Sequence, residues 1–452
     1  MARLPPQRPI GGAGGRWPAG VPGDSVRRSL SQTVTVPFRG ALARLATFSP
    51  AARQFLVFSL LIGIAFAIFN LVFNLYMSAL GFSNDVIGIF NALPALALLG
   101  VGLPFAAMAD RIGYRLFLLG SGGLAAVASA VLTIAGARLV AVLAAGTFAL
   151  AFTIVGVLGG PLLAQVSGET ERVALFAVNQ SLAWIAVLVG DLLGGLIPEA
   201  AARTLHTSSG SAPSIRASFA AMTALTVLAL PFLVRLAGGS GPRPGAVLPV
   251  RELFRVDVSR FARILIPWLL LGIGAGMYLN FVQLYLAQRF GLSPGPIGAI
   301  LAVGAALTAI VSLMAPLLSR RLGMSRTVGL FQAAGFPLVL ALGFIMTLPI
   351  AVVVMYVRQL ALNVQAPLSQ VFGMEYVEPQ QRARLATAQI VVSGIGVGGI
   401  GPLVSGFLQV RGGYQLAFSV SACFYLLAGL TFLLLFGKVR LPSEGGSLGE
   451  PL

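Results

Sequence analysis

Two ionisable side chains lie well inside long apolar stretches of the sequence, and each could do chemistry there. Asp191, in a stretch ending in GDLLGG (190–195), is the one acid at such a depth and could carry a proton. Arg358 cannot shed its proton, and burying it in hydrocarbon costs at least about 2.5–3.5 kcal/mol. Something must compensate that charge, so Arg358 predicts a polar or ligand-binding environment.

The stretch around Arg358, PIAVVVMYVRQLALNVQAPLSQVFGMEYV, also holds Gln359, Asn363 and Gln365. On a helix Arg358 and Gln365 share a face, and Gln359 and Asn363 occupy the adjoining one. The charge of Arg358 can be compensated by backbone carbonyls, by amides such as Asn363 and Gln365, by water, or by an anionic substrate. We expect Arg358 to face a central cavity and help select the substrate. The alternative is a structural arginine that ties its helix to its neighbours.

Enzyme chemistry has little support in the sequence. The single cysteine, Cys423, and the single histidine, His206, allow neither a disulfide nor a Cys/His metal site. There is no phosphate-binding P-loop, and the glycine-rich run GIGVGGIG (394–401) predicts a helix-packing surface instead. We therefore expect no catalytic residues, no metal and no cofactor.

The composition is that of a polytopic membrane protein, with 57% hydrophobic and only 10% charged residues. The net charge of +17 comes from basic residues between apolar runs, so it does not indicate nucleic acid as a partner. The apolar runs predict an all-α protein with twelve spans, near 54–78, 86–108, 115–136, 139–165, 173–198, 217–236, 263–287, 295–318, 327–347, 349–373, 383–409 and 414–437.

The placement of arginines predicts the orientation and the domains. Most of them fall on one side, which the positive-inside rule makes cytoplasmic together with both termini. The exceptions outside the spans are Arg138, Arg203, Arg216, Arg289 and Arg411. The predicted domains are a disordered basic arm (1–52), a six-helix bundle (53–236), a cytoplasmic linker (237–262), a second six-helix bundle (263–437) and a cytoplasmic tail (438–452).

A charged turn follows the second predicted span, in VGLPFAAMADRIGYRLF (101–117). Its polar and glycine positions are Gly102, Asp110, Arg111, Gly113 and Arg115. The pattern returns at an offset of 210 residues, where Arg320, Arg321 and Gly323 align with Asp110, Arg111 and Gly113. Two further pairs of segments align in the same order, which indicates that the chain consists of two related halves.

The turn resembles the G-x-x-x-D-R-x-G-R signature of the major facilitator superfamily. The resemblance implies two pseudo-symmetric six-helix bundles that rock about a site near the middle of the membrane. It makes the turn a gating motif, in which Asp110 pairs with arginines and holds the cytoplasmic gate closed. The alternative is that Asp110 only caps the third span.

Four amides occupy matching positions in the first and seventh spans: Asn70 and Asn74, and Asn280 and Gln283. Hydrocarbon offers such groups no partners. Two interpretations stay open. The amides line a central cavity, as these spans do in the resembled family, or they form hydrogen bonds between helices worth about 0.6 kcal/mol each.

These features predict a secondary active transporter of a small molecule, with an anionic substrate as one alternative. GPLVSG (401–406) resembles the G-P-x-x-G-G motif of antiporters in this superfamily, although Ser405 replaces a glycine. In GDLLGG the proline is replaced by Asp191, our candidate for proton coupling. We expect export driven by protons, in a monomer in a bacterial inner membrane. The alternatives to export are uptake and uncoupled diffusion. The alternative role for the two glycine motifs is close packing of helices. A receptor or membrane enzyme is the nearest different class of protein.

Overall fold

The computed structural model describes residues 48–97, 108, 113–168, 171–235, 258–312, 323–378 and 381–439. These ranges are almost entirely helical, and the helices belong to one compact unit that begins at Ser49. The helices are α1 Pro50–Ala79, α2 Asn84–Ala97, α3 Tyr114–Ile134, α4 Arg138–Val166, α5 Arg172–Leu205, α6 Ala212–Val234, α7 Val258–Leu279, α8 Val282–Phe290, α9 Pro294–Ser312, α10 Met324–Phe344, α11 Leu348–Tyr376, α12 Arg382–Ser393, a π-helix Gly394–Ile400, and α13 Gly401–Phe436. We call α1–α6 the first half and α7–α13 the second half.

Helix α1 shows how the sequence sets these elements. The hydroxyl of Ser49 accepts a hydrogen bond from the backbone N–H of Ala52 at 3.2 Å, and Pro50 occupies the first helical position. Both are typical of helix starts. The helix then runs for 30 residues, or about 45 Å, which exceeds the hydrocarbon core of about 30 Å.

Ten helices in the described residues are long and apolar enough to cross a membrane. One of them, Arg384–Phe436, has 53 residues and would be about 80 Å long if straight. Its backbone is non-helical at Gly412 and Gly413, so it comprises two membrane-length segments. Helix α2 is described from Asn84 to Ala97 only, which is too short for it to be counted. The integral membrane character is confirmed, and the count of twelve spans stays a prediction.

Several predicted regions fall outside the described residues. These are most of the basic arm (residues 1–47), most of the linker (237–257) and most of the tail (440–452). At the end of the linker, α7 begins at Val258, five residues before the predicted start of the seventh span. The division into two six-helix domains stays a prediction.

The gating motif is described only in part. Gly113 precedes α3 with φ of 109°, and Gly323 precedes α10 with φ of 80°. Glycine is favoured at these φ angles because it has no Cβ. The guanidinium of Arg115 donates a hydrogen bond to the backbone carbonyl of Val234. The other predicted motif residues lie outside the described ranges: Gly102, Asp110, Arg111, Arg320 and Arg321.

Glycines hold the two halves together at close range. A Cβ added to Gly298 on α9 would lie only 2.3 Å from the carbonyl oxygen of Asp191 on α5. A Cβ added to Gly88 on α2 would lie 2.5 Å from the carbonyl oxygen of Pro402 on α13. Gly88 and Gly298 are 210 residues apart, so the two crossings fall at equivalent positions of the sequence repeat.

The two glycine motifs and the glycine run also mediate packing. A Cβ on Gly195, in GDLLGG, would lie 2.6 Å from the carbonyl oxygen of Pro294, and one on Gly406, in GPLVSG, would lie 2.3 Å from that of Asn84. The run at 394–401 packs on α7, where a Cβ on Gly276 would lie 2.4 Å from the carbonyl oxygen of Val397. The prediction that this run is a packing surface is confirmed, while a role of the motifs in antiport stays a prediction.

We expect Gly298→Ala to lower the thermal stability of the purified protein, because the added methyl group meets backbone that cannot move aside. Overpacking of this kind costs about 1–3 kcal/mol. Gly146→Ala on α4 is the matched control, because no atom lies within 4 Å of its added Cβ. The control should be neutral or slightly stabilising, since alanine is the better helix former. Equal melting temperatures in detergent would contradict the packing role of Gly298.

Candidate substrate-binding cavity

A cavity of about 750 Å³ lies between the two halves. Its wall is formed by α1, α2, α4 and α5 of the first half and by α7, α8, α9, α11, the π-helix and α13 of the second. This volume falls within the range of about 300–1,000 Å³ that is usual for small-molecule sites. Every described helix that carries a predicted cavity residue or Asp191 therefore contributes to one space.

The wall from the first half is mainly aromatic and apolar. Phe66 of α1 and Phe152 of α4 stack face to face, with ring centroids 3.4 Å apart and planes 2° apart. Phe69 extends the aromatic cluster to Phe73 and Phe148 at 4.9 Å. Other aromatic residues of this wall are Phe55, Phe58 and Trp184. Such a surface suits the apolar or ring portion of a ligand.

The wall from the second half is more polar, and α11 supplies most of its polarity. All eight predicted cavity residues line the space: Asn70, Asn74, Asn280, Gln283, Arg358, Gln359, Asn363 and Gln365. Of these, the four from α11, Asn280 between α7 and α8, and Gln283 on α8 belong to the second half. Their location in the cavity agrees with the prediction, and contact with a substrate stays a prediction.

Arg358 lies between two tyrosines and is only 3% exposed. One guanidinium nitrogen donates a hydrogen bond to the hydroxyl of Tyr425. The guanidinium carbon lies 4.2 Å from the ring centroid of Tyr278 and 5.4 Å from that of Tyr425, within the range of cation–π contacts. The Nε atom is buried and has no hydrogen-bond partner in the described part of the chain.

The predicted amide partners of Arg358 bond elsewhere. Gln365 accepts a hydrogen bond from Gln332 at 3.2 Å, and Asn363 donates to the backbone carbonyl of Gln359 at 2.8 Å. The side chain of Gln359 donates to Thr308 at 2.9 Å. Of the alternatives for compensating the charge of Arg358, the amides of Asn363 and Gln365 are therefore not the ones that bond to it in the described residues. Each has a nearer partner along its own helix or on an adjacent one.

The other four predicted amides lie at one end of the cavity lining, where hydrogen bonds join the two halves. Asn74 donates to the backbone carbonyl of Asn280, and Gln283 donates to that of Asn70 at 3.2 Å. Asn280 in turn donates to the carbonyl of Val397 at 2.8 Å. All four residues line the cavity, and the side chains of Asn74 and Gln283 also bond to the opposite half, while a role in substrate binding stays a prediction. We call this end of the cavity the closed end.

Asp191 also lines the cavity and is 8% exposed. No hydrogen bond or ion pair joins its carboxylate to another described residue, and its carbonyl lies at the glycine crossing with α9. Arg358 and Asp191 are the two charged side chains among the lining residues that the structure describes. The site thus combines one fixed cation with one carboxylate that a proton can neutralise.

Sequence reasoning missed Tyr278, Tyr425 and Glu199. The two tyrosines form the environment of Arg358, but they are 67 residues or more from it in the chain, and nothing in their spacing singles them out. Glu199 joins α5 to the start of α9 at the closed end. It lies just past the predicted end of the fifth span, where acidic residues are common and do not indicate a functional site. For Tyr278 and Tyr425, the available indication was a hydroxyl-bearing side chain within an apolar span.

The architecture defines a class of protein, a helical membrane transporter with a cavity between its two halves. A sequence model of the Major Facilitator Superfamily matches residues 55–398. Because this match covers most of the chain, the protein belongs to that superfamily, as the charged turn predicts.

Solved structures of transporters have the same fold. A bacterial homolog of the human lysosomal transporter Spinster, in an inward-facing and occupied conformation, has a TM-score of 0.72 at 13% identity, over 90% of this chain and 98% of the other. The nucleoside transporter NupG has a TM-score of 0.69 at 14% identity, over 86% of this chain and 100% of the other. A peptide transporter, POT, in complex with sulfate, has a TM-score of 0.67 at 13% identity, over 91% and 98%. No protein with a curated function matches this sequence significantly.

We expect Tyr425→Phe to destabilise the protein, because the buried guanidinium loses its hydrogen-bond acceptor. A hydrogen bond to a charged group contributes about 1.5–3 kcal/mol. Tyr278→Phe is the matched control, since the Tyr278 ring contacts the guanidinium and its hydroxyl makes no hydrogen bond to a described residue. The control should change stability by no more than about 0.5 kcal/mol. Thermal unfolding in detergent measures both, and equal effects would contradict the assigned role of the Tyr425 hydroxyl.

Proposed function

We propose that this protein is a secondary transporter that moves a small amphipathic anion across the membrane by alternating access. The observation that carries the proposal is the buried Arg358 at the wall of a cavity between the halves. One of its donors is used by Tyr425, and its Nε has no described partner. A carboxylate or sulfonate of the substrate would supply the missing acceptor.

The two walls of the cavity favour a substrate with two different sides. Phe66, Phe152 and Trp184 offer an aromatic surface, while Arg358 and the amides of α11 offer hydrogen-bond donors and a positive charge. A ring or alkyl portion fits the first wall, and the anionic group fits the second. Because one wall comes from each half, a bound substrate contacts both, which suits a carrier whose halves rock about it.

The direction we propose is export in exchange for protons, with Asp191 as the proton carrier. Intramembrane carboxylates are commonly functional, and Asp191 lines the same cavity as Arg358. The partial antiporter motif at 401–406 supports export. Uptake together with protons is the alternative, since a structurally similar protein, FucP, is a fucose:proton symporter.

Counterflow in proteoliposomes tests the carrier function. A carrier loaded with an excess of unlabelled aromatic carboxylate should accumulate the labelled compound transiently, whereas a channel or receptor should not. Growth against a panel of toxic amphipathic anions, with and without expression, then tests the direction. Better growth with expression supports export, and poorer growth supports uptake.

We expect Arg358→Lys to lose most transport while the protein still folds and reaches the membrane. An ammonium is a point charge and cannot reproduce the fork of donors that a guanidinium presents to a carboxylate. Losing one charge-assisted hydrogen bond of about 1.5–3 kcal/mol corresponds to about 10- to 100-fold weaker substrate binding.

Arg411→Lys is the control for this substitution, because Arg411 is exposed and lies outside the cavity lining. Counterflow should be unchanged in the control. Normal transport by Arg358→Lys would show that the arginine does not contact the substrate. Loss of folded protein in Arg358→Lys would indicate a structural role.

We expect Asp191→Asn to abolish transport driven by a pH gradient and to leave counterflow largely intact. Asparagine keeps the shape of the side chain but cannot bind and release a proton, whereas counterflow requires only the rocking of the loaded carrier. The measurement compares pH-driven transport with counterflow in the same proteoliposomes. Retention of pH-driven transport would remove Asp191 as the proton carrier.

A further inference from the structure

Glu199, near the end of α5, makes a second link between the halves at the closed end. Its carboxylate oxygen Oε1 accepts a hydrogen bond from the hydroxyl of Ser293 at 2.5 Å and one from the backbone N–H of Gly295 at 3.2 Å. Ser293 and Gly295 lie at the start of α9 in the other half. A carboxylate at a helix N-terminus meets free N–H groups and the positive end of the helix dipole.

The link lies beside the glycine crossing of the same two helices. A Cβ on Gly195, one turn before Glu199, would meet the carbonyl of Pro294 at 2.6 Å, and a Cβ on Gly295 would meet Cγ of Glu199 at 2.8 Å. This packing places the Glu199 side chain directly against the start of α9. If α5 and α9 separate when the closed end opens, both hydrogen bonds of Glu199 break.

The sequence repeat provides an uncharged counterpart. Gln409 on α13 lies 210 residues after Glu199, and its Oε1 accepts a hydrogen bond from the side chain of Asn84 at 2.8 Å. Asn84 begins α2, the helix that packs on α13 through Gly88. The two links therefore join equivalent pairs of helices, and only one of them contains a group that can titrate.

We propose that Glu199 is a proton-sensitive latch, which holds α5 to α9 when its carboxylate is ionised and releases α9 when it is protonated. The proposal rests on the alternating access proposed above. It assigns to Glu199 a role in opening the closed end, separate from substrate contact at Arg358 and from proton transport at Asp191.

The chemistry of the link gives the direction of the effect. An ionised carboxylate is a stronger hydrogen-bond acceptor than a carboxylic acid, so protonation weakens both bonds to α9. The other groups that act on Glu199 are the hydroxyl of Ser209, after α5, and the guanidinium of Arg203, the one charged side chain to do so among the described residues. Both favour the ionised form. Acid conditions should therefore raise the population in which the closed end is open.

Distances between spin labels test the latch in the full-length protein. The exposed native thiol, Cys423, is first replaced by serine. Labels are then attached to cysteines at Leu205 on α5 and Ala299 on α9, two exposed positions on the two linked helices. Pulsed electron paramagnetic resonance should show a longer-distance population that grows as the pH falls from about 7 to below about 4, because a free glutamate titrates near about 4.3 and the neighbours of Glu199 favour its ionised form.

Glu199→Gln should remove the pH dependence and leave more protein open at about pH 8. Losing the charge from the acceptor should raise the ratio of open to closed protein about fivefold, as expected when a hydrogen bond to a charged group becomes a neutral one. Glu378→Gln is the control, since Glu378 is an exposed carboxylate at the far end of α11. It should behave as the parent protein does.

Two results would overturn the latch: a parent protein whose label distances do not change with pH, or a Glu199→Gln variant that keeps the parent's pH dependence. If Glu199→Gln does not fold, Ser293→Ala decides, because it keeps the carboxylate and removes one donor. It should raise the open population at about pH 8, and an unchanged population would likewise overturn the proposal. The readout is a distance, so its failure is separate from a failure of counterflow, which would remove the transport function instead.

Discussion

The two halves of this protein meet backbone against backbone, and that constraint shapes everything between them. At Gly88 and Gly298 there is no space for a Cβ, because the carbonyl oxygens of Pro402 and Asp191 already lie where it would go. Close helix crossings of this kind fix the separation of the halves at the crossing points. Away from those points the helices diverge, and the cavity of about 750 Å³ occupies the space that remains.

Within that space the dominant electrostatic problem is the charge of Arg358. In the described residues this charge is stabilised by the aromatic rings of Tyr278 and Tyr425 and by the hydroxyl of Tyr425. Aromatic faces stabilise a cation without neutralising it, so the site keeps its positive charge. An opposing carboxylate would have cancelled this charge, on which the proposed binding of an anionic substrate depends. The tyrosines thus keep the arginine in place and leave it available.

The sequence was sufficient to place polar residues but not to pair them. Arg358, Asn74 and Asn280 could be assigned to a cavity because a polar group inside an apolar span has few other places to go. Their partners come from helices distant in the chain, and nothing in one helix's sequence specifies which neighbour it meets. Tyr425 is the clearest case, since it is unremarkable within α13 and becomes informative only beside Arg358. Glu199 was missed because its role depends on the start of α9, in the other half.

The residues that shape the cavity are largely different from those that set the crossings. Phe66, Phe152 and Trp184 line the cavity with their side chains. Gly88 and Gly298 have no side chain, which lets the backbones of the two halves pack closely together. Variation in the aromatic wall therefore leaves the contacts between the halves intact. If the cavity binds substrate as proposed, substitutions in the aromatic wall can alter what is recognised without changing the contacts between the halves, and this wall is the place to begin redesigning selectivity.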